Sequence, residues 1–135
     1  MIRPATMDDI PALVAMGRVF FERLDLPFDY IPRDTAENLA WLISEGGVFI
    51  GKNGAIGGLL QSAPFNKSVK FANEHFWWSE GGEGIRLLKR YEDWASESGA
   101  SWVVMTTIET LESKASEVLR RRSYRRQESQ YVKVL

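Results

Sequence analysis

Three glycines stand close together near the middle of the chain, in the segment Trp77-Trp78-Ser79-Glu80-Gly81-Gly82-Glu83-Gly84-Ile85. Aromatic residues precede these glycines and a helical pattern follows them, so the segment is predicted to turn from a strand into a helix. Glycine allows a tight turn and the close approach of a ligand, and the first amides of a helix are unpaired at the positive end of its dipole. The segment therefore predicts a site for an anion such as a phosphate group. A tight turn that binds nothing is the alternative.

Two common nucleotide-binding motifs do not describe this turn. The dinucleotide fingerprint needs an early strand, Gly-x-Gly-x-x-Gly and a later acidic residue, whereas this turn follows a strand in the middle of the chain. A Walker phosphate loop needs Gly-Lys-Ser or Gly-Lys-Thr, and the sequence contains neither. Main-chain amides without a lysine side chain are therefore expected to hold the phosphates.

Glu74 and His75 precede the turn on the same predicted strand. A partly buried carboxylate has a raised pKa and can take a proton from an ammonium group, so Glu74 is a candidate general base. A solvated strand carboxylate is the alternative. The ordinary pKa of His75 also suits a base, but neighbouring strand residues point to opposite faces. The two side chains therefore cannot share one cleft unless a bulge intervenes, and a packed or surface histidine is the alternative for His75.

Five arginines lie near the predicted end of the last helix: Arg120, Arg121, Arg122, Arg125 and Arg126. Positive charge is favourable at the carboxyl end of a helix, so a solvated helix end explains them. Binding of an adenosine phosphate or of an acidic partner is the alternative. Nucleic acid is not expected as a partner, because the net charge is -1 and aromatic residues do not alternate with the arginines.

The elements that must position these residues fit one α/β domain spanning residues 1–135. Helical spacing of apolar residues, strand-like runs and turn residues place the elements along the chain. The predicted order is a short strand from Ile2, a helix over 6–21, a helix from Asp34 or Thr35 to Gly46, strands over 48–50, 55–61 and 69–78, a helix over 85–99, a strand over 102–107 buried on both faces, a helix over 111–122 and a strand over 131–135.

Composition excludes several classes of site. The chain has no cysteine and a single histidine, which excludes disulfides, thiolate metal sites and a cysteine nucleophile and argues against a zinc centre, so no metal is expected. No apolar run reaches the roughly 20 residues that cross a bilayer, and the amino terminus lacks the pattern of a signal peptide. The expected location is the cytoplasm, with no membrane partner.

The order of the predicted elements resembles that of the GNAT family of N-acetyltransferases over nearly the whole chain. In that family a turn with the pattern Gln or Arg, x, x, Gly, x, Gly or Ala binds the pyrophosphate of acetyl-coenzyme A, and Gly82 and Gly84 match its last two fixed positions. Residues 86–95 are similar to the helix that follows, and residues 2–9 are similar to the family's opening. The resemblance implies an α/β (α+β) fold in which four helices flank a mixed central sheet of about six or seven strands.

The resemblance also implies a function and its residues. The chain would transfer an acetyl group from acetyl-CoA to a primary amine by direct attack, with Glu74 as the base and no metal. Tyr124, water or the amine's own proton would protonate the departing thiolate. The residues expected to bind acetyl-CoA are Trp77, Trp78, Ser79, Gly81, Gly82, Glu83, Gly84 and Ile85.

Two departures from the family keep other functions open. Ser79 stands where the family has Gln or Arg, and Leu119 stands where it often has a catalytic tyrosine. A coenzyme A-binding or protein-interaction module without activity, or an arginine-based adaptor, is therefore an alternative. The acceptor is either a small-molecule amine or a protein amino group, and the loop from Leu24 to Arg33 is expected to help bind it. A homodimer is a further possibility.

Overall fold

A computed structural model describes residues 1–108 and 114–135 of the chain. Its strands and helices, in chain order, are β1 (Arg3–Pro4), α1 (Ile10–Glu22), α2 (Pro32–Glu45), β2 (Gly47–Ile50), β3 (Gly54–Ala63), β4 (Asn66–Ser79), α3 (Gly84–Glu97), β5 (Trp102–Val104) and α4 (Ala115–Arg121). Short 3-10 turns precede α1 at Met7–Asp9 and α3 at Gly81–Glu83.

The strands form one sheet in the order β1-β2-β3-β4-β5. Neighbouring strands are antiparallel except β4 and β5, which are parallel and are joined by α3. Helices cover both faces of this sheet. Leu88 and Tyr91 of α3 pack with Leu119 of α4 in one core, while Leu13 of α1 and Leu42 of α2 belong to a second core. The predicted mixed α/β fold is confirmed.

The starts of the first two helices follow from local residue chemistry. The Thr6 amide donates to the Asp9 carboxylate at 2.8 Å, which confirms the predicted capping box before α1. The second helix begins at Pro32, ahead of the predicted start at Asp34 or Thr35. The reason is that the fixed φ of proline suits the first turn of a helix and its missing N–H costs nothing there.

The carboxyl-terminal half of the sheet differs from the prediction. The described residues contain five strands, so the count of six or seven is not confirmed. Residues 131–135 form no strand, and the prediction of one there was wrong. A strand exists only when another strand satisfies its backbone groups. The apolar residues of this segment therefore did not suffice, and their side chains are exposed.

The strand predicted at 102–107 was also wrong in length and burial. It ends at Val104, and Trp102 is 40% exposed, because β5 lies at the end of the sheet and has β4 as its single partner within residues 1–108 and 114–135. Of the helix predicted at 111–122, residues 111–113 lie outside the described residues, and the helical part is Ala115–Arg121.

Candidate functional site

A gap between β4 and β5 is the central feature of the site. The two strands pair only from Phe71 to Asn73 on β4 and from Trp102 to Val104 on β5. Strand β4 then continues to Ser79 with β3 as its single partner among the described strands. Its other edge therefore presents unpaired backbone N–H and C=O groups along the gap, which an extended amide-containing ligand can bind.

A bulge in β4 explains why the strands part. Gly57 of β3 lies opposite Phe76 of β4, and the next residue, Gly58, lies opposite Glu74. His75 is therefore the extra residue on β4. A bulge bends its strand and increases the local twist. Pairing between β4 and β5 ends one residue before Glu74, so the bend coincides with the opening of the gap.

Glu74 lies where the two strands part. Its side chain is buried, and its Oε1 accepts a hydrogen bond from the Thr106 amide at 3.3 Å, in the segment after β5. Burial raises the pKa of the Glu74 carboxyl to about 7, and the Thr106 hydrogen bond offsets only part of that effect. Near neutral pH the group is therefore divided between acid and base, as proton transfer requires.

Tyr91 of α3 lies near enough to Glu74 for the charge of Glu74 to act on it, a proximity that the sequence did not reveal. Burial and the neighbouring Glu74 charge both raise the pKa of the Tyr91 hydroxyl. That hydroxyl is buried and has no hydrogen-bond partner among the described residues. It lies directly against Gly58, where a Cβ would collide with it. Gly58 is therefore needed for close packing between β3 and α3.

The two sides of β4 carry different groups after the bulge. Glu74 faces Tyr91 of α3, whereas the His75 ring lies 6.3 Å from that of Trp41 on α2. The expectation that these two neighbours point to opposite faces is confirmed. Phe76 also faces α1 and α2, where its ring stacks on Trp78 at 4.3 Å. Partial burial lowers the pKa of His75, which favours its neutral form.

The glycine turn lies at the end of β4, as predicted. Gly81 has φ of +76°, a conformation that side-chain-bearing residues rarely adopt. Gly82 has no such constraint, and a Cβ built on either residue would meet no protein atom within 4 Å. In a 3-10 turn each N–H donates to the carbonyl three residues before it. The turn begins at Gly81, so the amides of Gly81 and Gly82 do not take part in its own hydrogen bonds. A side chain at either glycine would point into open space beside the turn.

The side chains of Glu83 and Trp77 form hydrogen bonds that hold the glycine turn in place. The buried Glu83 carboxylate accepts hydrogen bonds from the amides of Lys52, at 3.0 Å, and Asn53, at 2.5 Å, in the turn between β2 and β3. These hydrogen bonds lower the pKa of Glu83. Trp77 donates its Nε1 proton to the Gly84 carbonyl at 3.1 Å. The side chains of Glu83 and Trp77 thus support the turn, and only its main chain is left to bind a ligand.

The other residues predicted to bind the acyl donor occupy different places. Trp78 packs against Gly17 of α1, on the face opposite the core of α3. The Ser79 hydroxyl lies beside Gly84, and Ile85 on the first turn of α3 is 51% exposed. Ser79 and Ile85 therefore lie at the glycine turn, whereas the Trp78 side chain lies on the face towards α1.

Tyr124 is held by α3 and by the end of α4. Its hydroxyl donates to the Glu92 carboxylate at 2.8 Å, and its amide donates to the Leu119 carbonyl at 2.9 Å. The same Glu92 carboxylate also binds Arg122. Burial and Glu92 raise the pKa of Tyr124, so its proton is firmly held. Leu119 is buried beside it. The role of Tyr124 as a proton donor stays a prediction.

A cleft of about 490 Å³ lies on the face of β4 that is turned towards α1 and α2. The connection between these helices forms one wall, through residues that include Phe28, Asp29 and Tyr30. His75, Phe76 and Trp78 of β4 form another part of the lining. The sequence indicated the loop and, on β4, His75 and Trp78, but Trp78 was assigned to the acyl donor and Phe76 was missed. The bulge that turns His75 and Phe76 to the same face leaves no mark on the residue pattern.

Within residues 1–108 and 114–135, no three His, Cys, Asp or Glu side chains come together as a group able to hold a metal ion. In the same ranges, no helix combines the length and apolar character needed to cross a membrane.

Comparison with solved structures identifies the fold. The chain matches a ribosomal-protein-alanine N-acetyltransferase from Brucella melitensis biovar Abortus 2308 with a TM-score of 0.73 at 11% identity, over 100% of this chain and 99% of that one. It matches an aminoglycoside acetyltransferase from an uncultured soil metagenomic sample, in complex with sisomicin, with a TM-score of 0.74 at 15% identity, over 100% and 95% of the two chains. The chain has the GNAT acetyltransferase fold.

A third GNAT-fold match was solved with acetyl-CoA. It is a predicted acetyltransferase from Clostridium acetobutylicum, with a TM-score of 0.76 at 15% identity over 100% of this chain and 95% of that chain. No family model and no curated protein sequence matches this chain. At these identities the likeness establishes the GNAT fold, and function has to be argued from the site.

Proposed function

We propose that this protein is an N-acetyltransferase that moves an acetyl group from acetyl-CoA to a primary amine by direct attack. The observation that supports this most strongly is the gap between β4 and β5, which runs from a buried carboxyl at Glu74 to the open amides of Gly81 and Gly82. One extended ligand with phosphates at one end and a reactive acyl group at the other fits that arrangement.

The residues of the gap suit the acyl donor. Gly81 and Gly82 would bind its pyrophosphate through their amides, aided by the dipole of the 14-residue helix α3. A Cβ at Gly82 would enter the open space in front of these amides without meeting the protein. The free edge of β4 between the bulge and Ser79 would pair with the amides of the pantetheine arm.

Glu74 would act as the general base. The donor supplies an acyl group activated as a thioester, and Glu74 takes a proton from the ammonium group so that nitrogen has a free electron pair. The C–N bond then forms, the C–S bond breaks, and the sulfur leaves as a thiolate that must gain one proton. That proton comes from Tyr124, from water or from the amine. The raised pKa of Glu74, about 7, supports its role because a carboxyl at its ordinary pKa is a weak base.

Two measurements test the proposal on the purified protein. Calorimetry with acetyl-CoA measures donor binding, and release of the free thiol over a panel of primary amines measures transfer. We expect binding together with amine-dependent thiol release. Binding without turnover on any amine would instead indicate a coenzyme A-binding protein that lacks activity, for which the buried Leu119 at the usual tyrosine position is the structural reason.

A further inference from the structure

The walls of the cleft beside β4 are made of aromatic rings that hold one another in place. Phe76 and Trp78 stack at 4.3 Å, and Phe20 of α1 lies 6.2 Å from Trp78. The Phe21 ring lies 5.3 Å from that of Tyr30. Apolar walls of this kind bind a hydrocarbon or aromatic body by removing it from water.

Gly17 and Tyr30 keep this wall preorganised. A Cβ on Gly17 would lie 2.9 Å from the Trp78 ring and 3.0 Å from the Tyr30 hydroxyl, so both rings close directly over the α1 backbone. The Tyr30 hydroxyl donates to the Val14 carbonyl at 2.7 Å. A ligand therefore does not have to order these rings on binding, which lowers the entropic cost.

The carboxylates of Asp29 and Asp34 are the charged side chains that the described residues contribute to the cleft lining. Asp29 and Asp34 lie in its lining and are exposed, and neither takes part in an ion pair or a side-chain hydrogen bond with any described residue. The lining includes no lysine or arginine from residues 1–108 and 114–135. The cleft is therefore negative, which attracts a cation and repels an anion.

Three arginines lie near the cleft, and none of them forms an ion pair with Asp29 or Asp34. Arg23 pairs with Glu80 at 2.7 Å, and Arg33 pairs with Glu37 at 3.4 Å. The Arg18 guanidinium lies over the Tyr30 ring, 4.9 Å from its centroid. The two aspartates are thus left to interact with a bound ligand.

We propose that this cleft binds a small organic amine with an aromatic or hydrocarbon body, an ammonium group paired with Asp29 and Asp34, and no carboxylate or phosphate. This assignment names the acceptor class of the proposed acetyltransferase and rests on that function for the transfer step alone. Because Glu74 lies on the other face of β4, transfer requires the ammonium group to leave the two aspartates and reach the gap between β4 and β5. A polyhydroxylated amine fits less well because the rings of the walls provide few hydrogen-bonding groups. An amino acid fits less well because its carboxylate would face two others.

Three ligands that share one ring separate the contributions to binding. Phenylethylamine has the ring and the ammonium group, phenylethanol lacks the charge, and phenylalanine adds a carboxylate. Calorimetry with each ligand, on the free protein and with coenzyme A present, measures affinity without turnover. We expect phenylethylamine to bind about 10-fold more tightly than either of the others. Equal or tighter binding of phenylalanine would overturn the proposal.

Charge-neutralising variants locate the ammonium group. The double variant Asp29→Asn/Asp34→Asn is expected to weaken phenylethylamine binding about 10-fold and to leave phenylethanol binding unchanged. Asp25→Asn is the matched control, because Asp25 lies in the same connection but outside the cleft lining. Its φ of +50° is one that asparagine accepts. An equal loss in the control, or no loss in the double variant, would contradict the assignment.

The outcomes for the cleft and for the transferase activity can be told apart. Aspartate-dependent binding of phenylethylamine without any thiol release from acetyl-CoA would support the cleft assignment and contradict the proposed function. Thiol release with glucosamine, but neither binding nor reaction of phenylethylamine, would overturn the cleft assignment and leave the proposed function in place.

Discussion

The two faces of β4 after the bulge are built in different ways. On the face towards α3, Trp77 and Glu83 direct their polar groups into the protein, where they brace the glycine turn. On the face towards α1 and α2, Phe76 and Trp78 form a wall, and the nearby carboxylates of Asp29 and Asp34 form no ion pair with any residue that the structure describes. The first face can therefore bind through main-chain amides positioned by the glycine turn, whereas the second binds through side chains.

Binding at the first face depends on the shape of the backbone, whereas binding at the second face depends on the identity of the side chains. A ligand held by amides needs only the correct backbone, so Ser79 can replace a larger residue if the turn keeps its shape. A ligand held by side chains changes with every substitution in the connection between α1 and α2. Donor binding and acceptor choice should therefore respond to different mutations.

The strongest test of this separation compares Glu74→Gln with His75→Gln, because the two side chains lie on opposite faces. Loss of the base at Glu74 should lower kcat/KM roughly 10²- to 10⁴-fold. In the unaltered protein, kcat/KM should rise with pH through about 7, where Glu74 loses its proton. That rise should be absent in Glu74→Gln, as measured by thiol release between pH 5.5 and 8.5. A larger loss in His75→Gln would place the base on the cleft face.

The next largest effect concerns the open amides of the turn. Gly82→Val places a side chain in the space before them and should weaken acetyl-CoA binding about 100-fold, the value of one or two hydrogen bonds to a charged group. Gly99→Ala is the control, since Gly99 also faces open space but has φ of +90°. It should lower the free energy of unfolding by about 1 kcal/mol and leave calorimetric binding intact. Normal binding by Gly82→Val would remove the turn from the donor site.

The buried carboxyl of Glu74 should also make stability depend on pH. Its pKa is raised in the folded state from 4.5 to about 7, so folding favours the protonated form. This contribution is present below pH 4.5 and is lost as pH rises through about 7. At roughly 1.4 kcal/mol per pKa unit, the loss is about 3 kcal/mol at most.

Glu74→Gln carries no charge at any pH and should avoid that loss. In urea unfolding at pH 8 this variant should therefore be more stable than the unaltered protein, and at pH 4.5 the difference should vanish. If the two proteins differ in stability by the same amount at both pH values, the charge of Glu74 is not the cause of the lost stability.

The smallest expected effect concerns Tyr124. Removing its hydroxyl with Tyr124→Phe leaves the Glu92 carboxylate with Arg122 and should cost about 1 kcal/mol in the free energy of unfolding. We expect kcat to change little, because the Tyr124 proton is bound to Glu92. Tyr131→Phe is the control, since Tyr131 is exposed. A large fall in kcat, with stability unchanged, would instead identify Tyr124 as the proton donor to the thiolate.

Local patterns predicted much of this protein correctly. The capping box of Thr6 and Asp9, the apolar spacing around Leu88 and Tyr91, and the strand that leads into the glycines all appear in the structure. Each of these features depends on residues within one or two turns of the chain. The sequence therefore determined the helices, the central strands and the glycine turn, because steric and hydrogen-bonding preferences act at that short range.

Contacts between distant residues decided the rest. The bulge at His75 is defined by pairing with Gly57 and Gly58, and the parting of β4 and β5 follows from it. One wall of the cleft depends on the packing of Trp78 against Gly17, which lies far from it in the sequence. The segment at 131–135 is rich in strand-forming residues but forms no strand, since a strand needs a partner that its own residues do not provide. Only the tertiary structure settles such features, because their stability comes from residues brought together by folding.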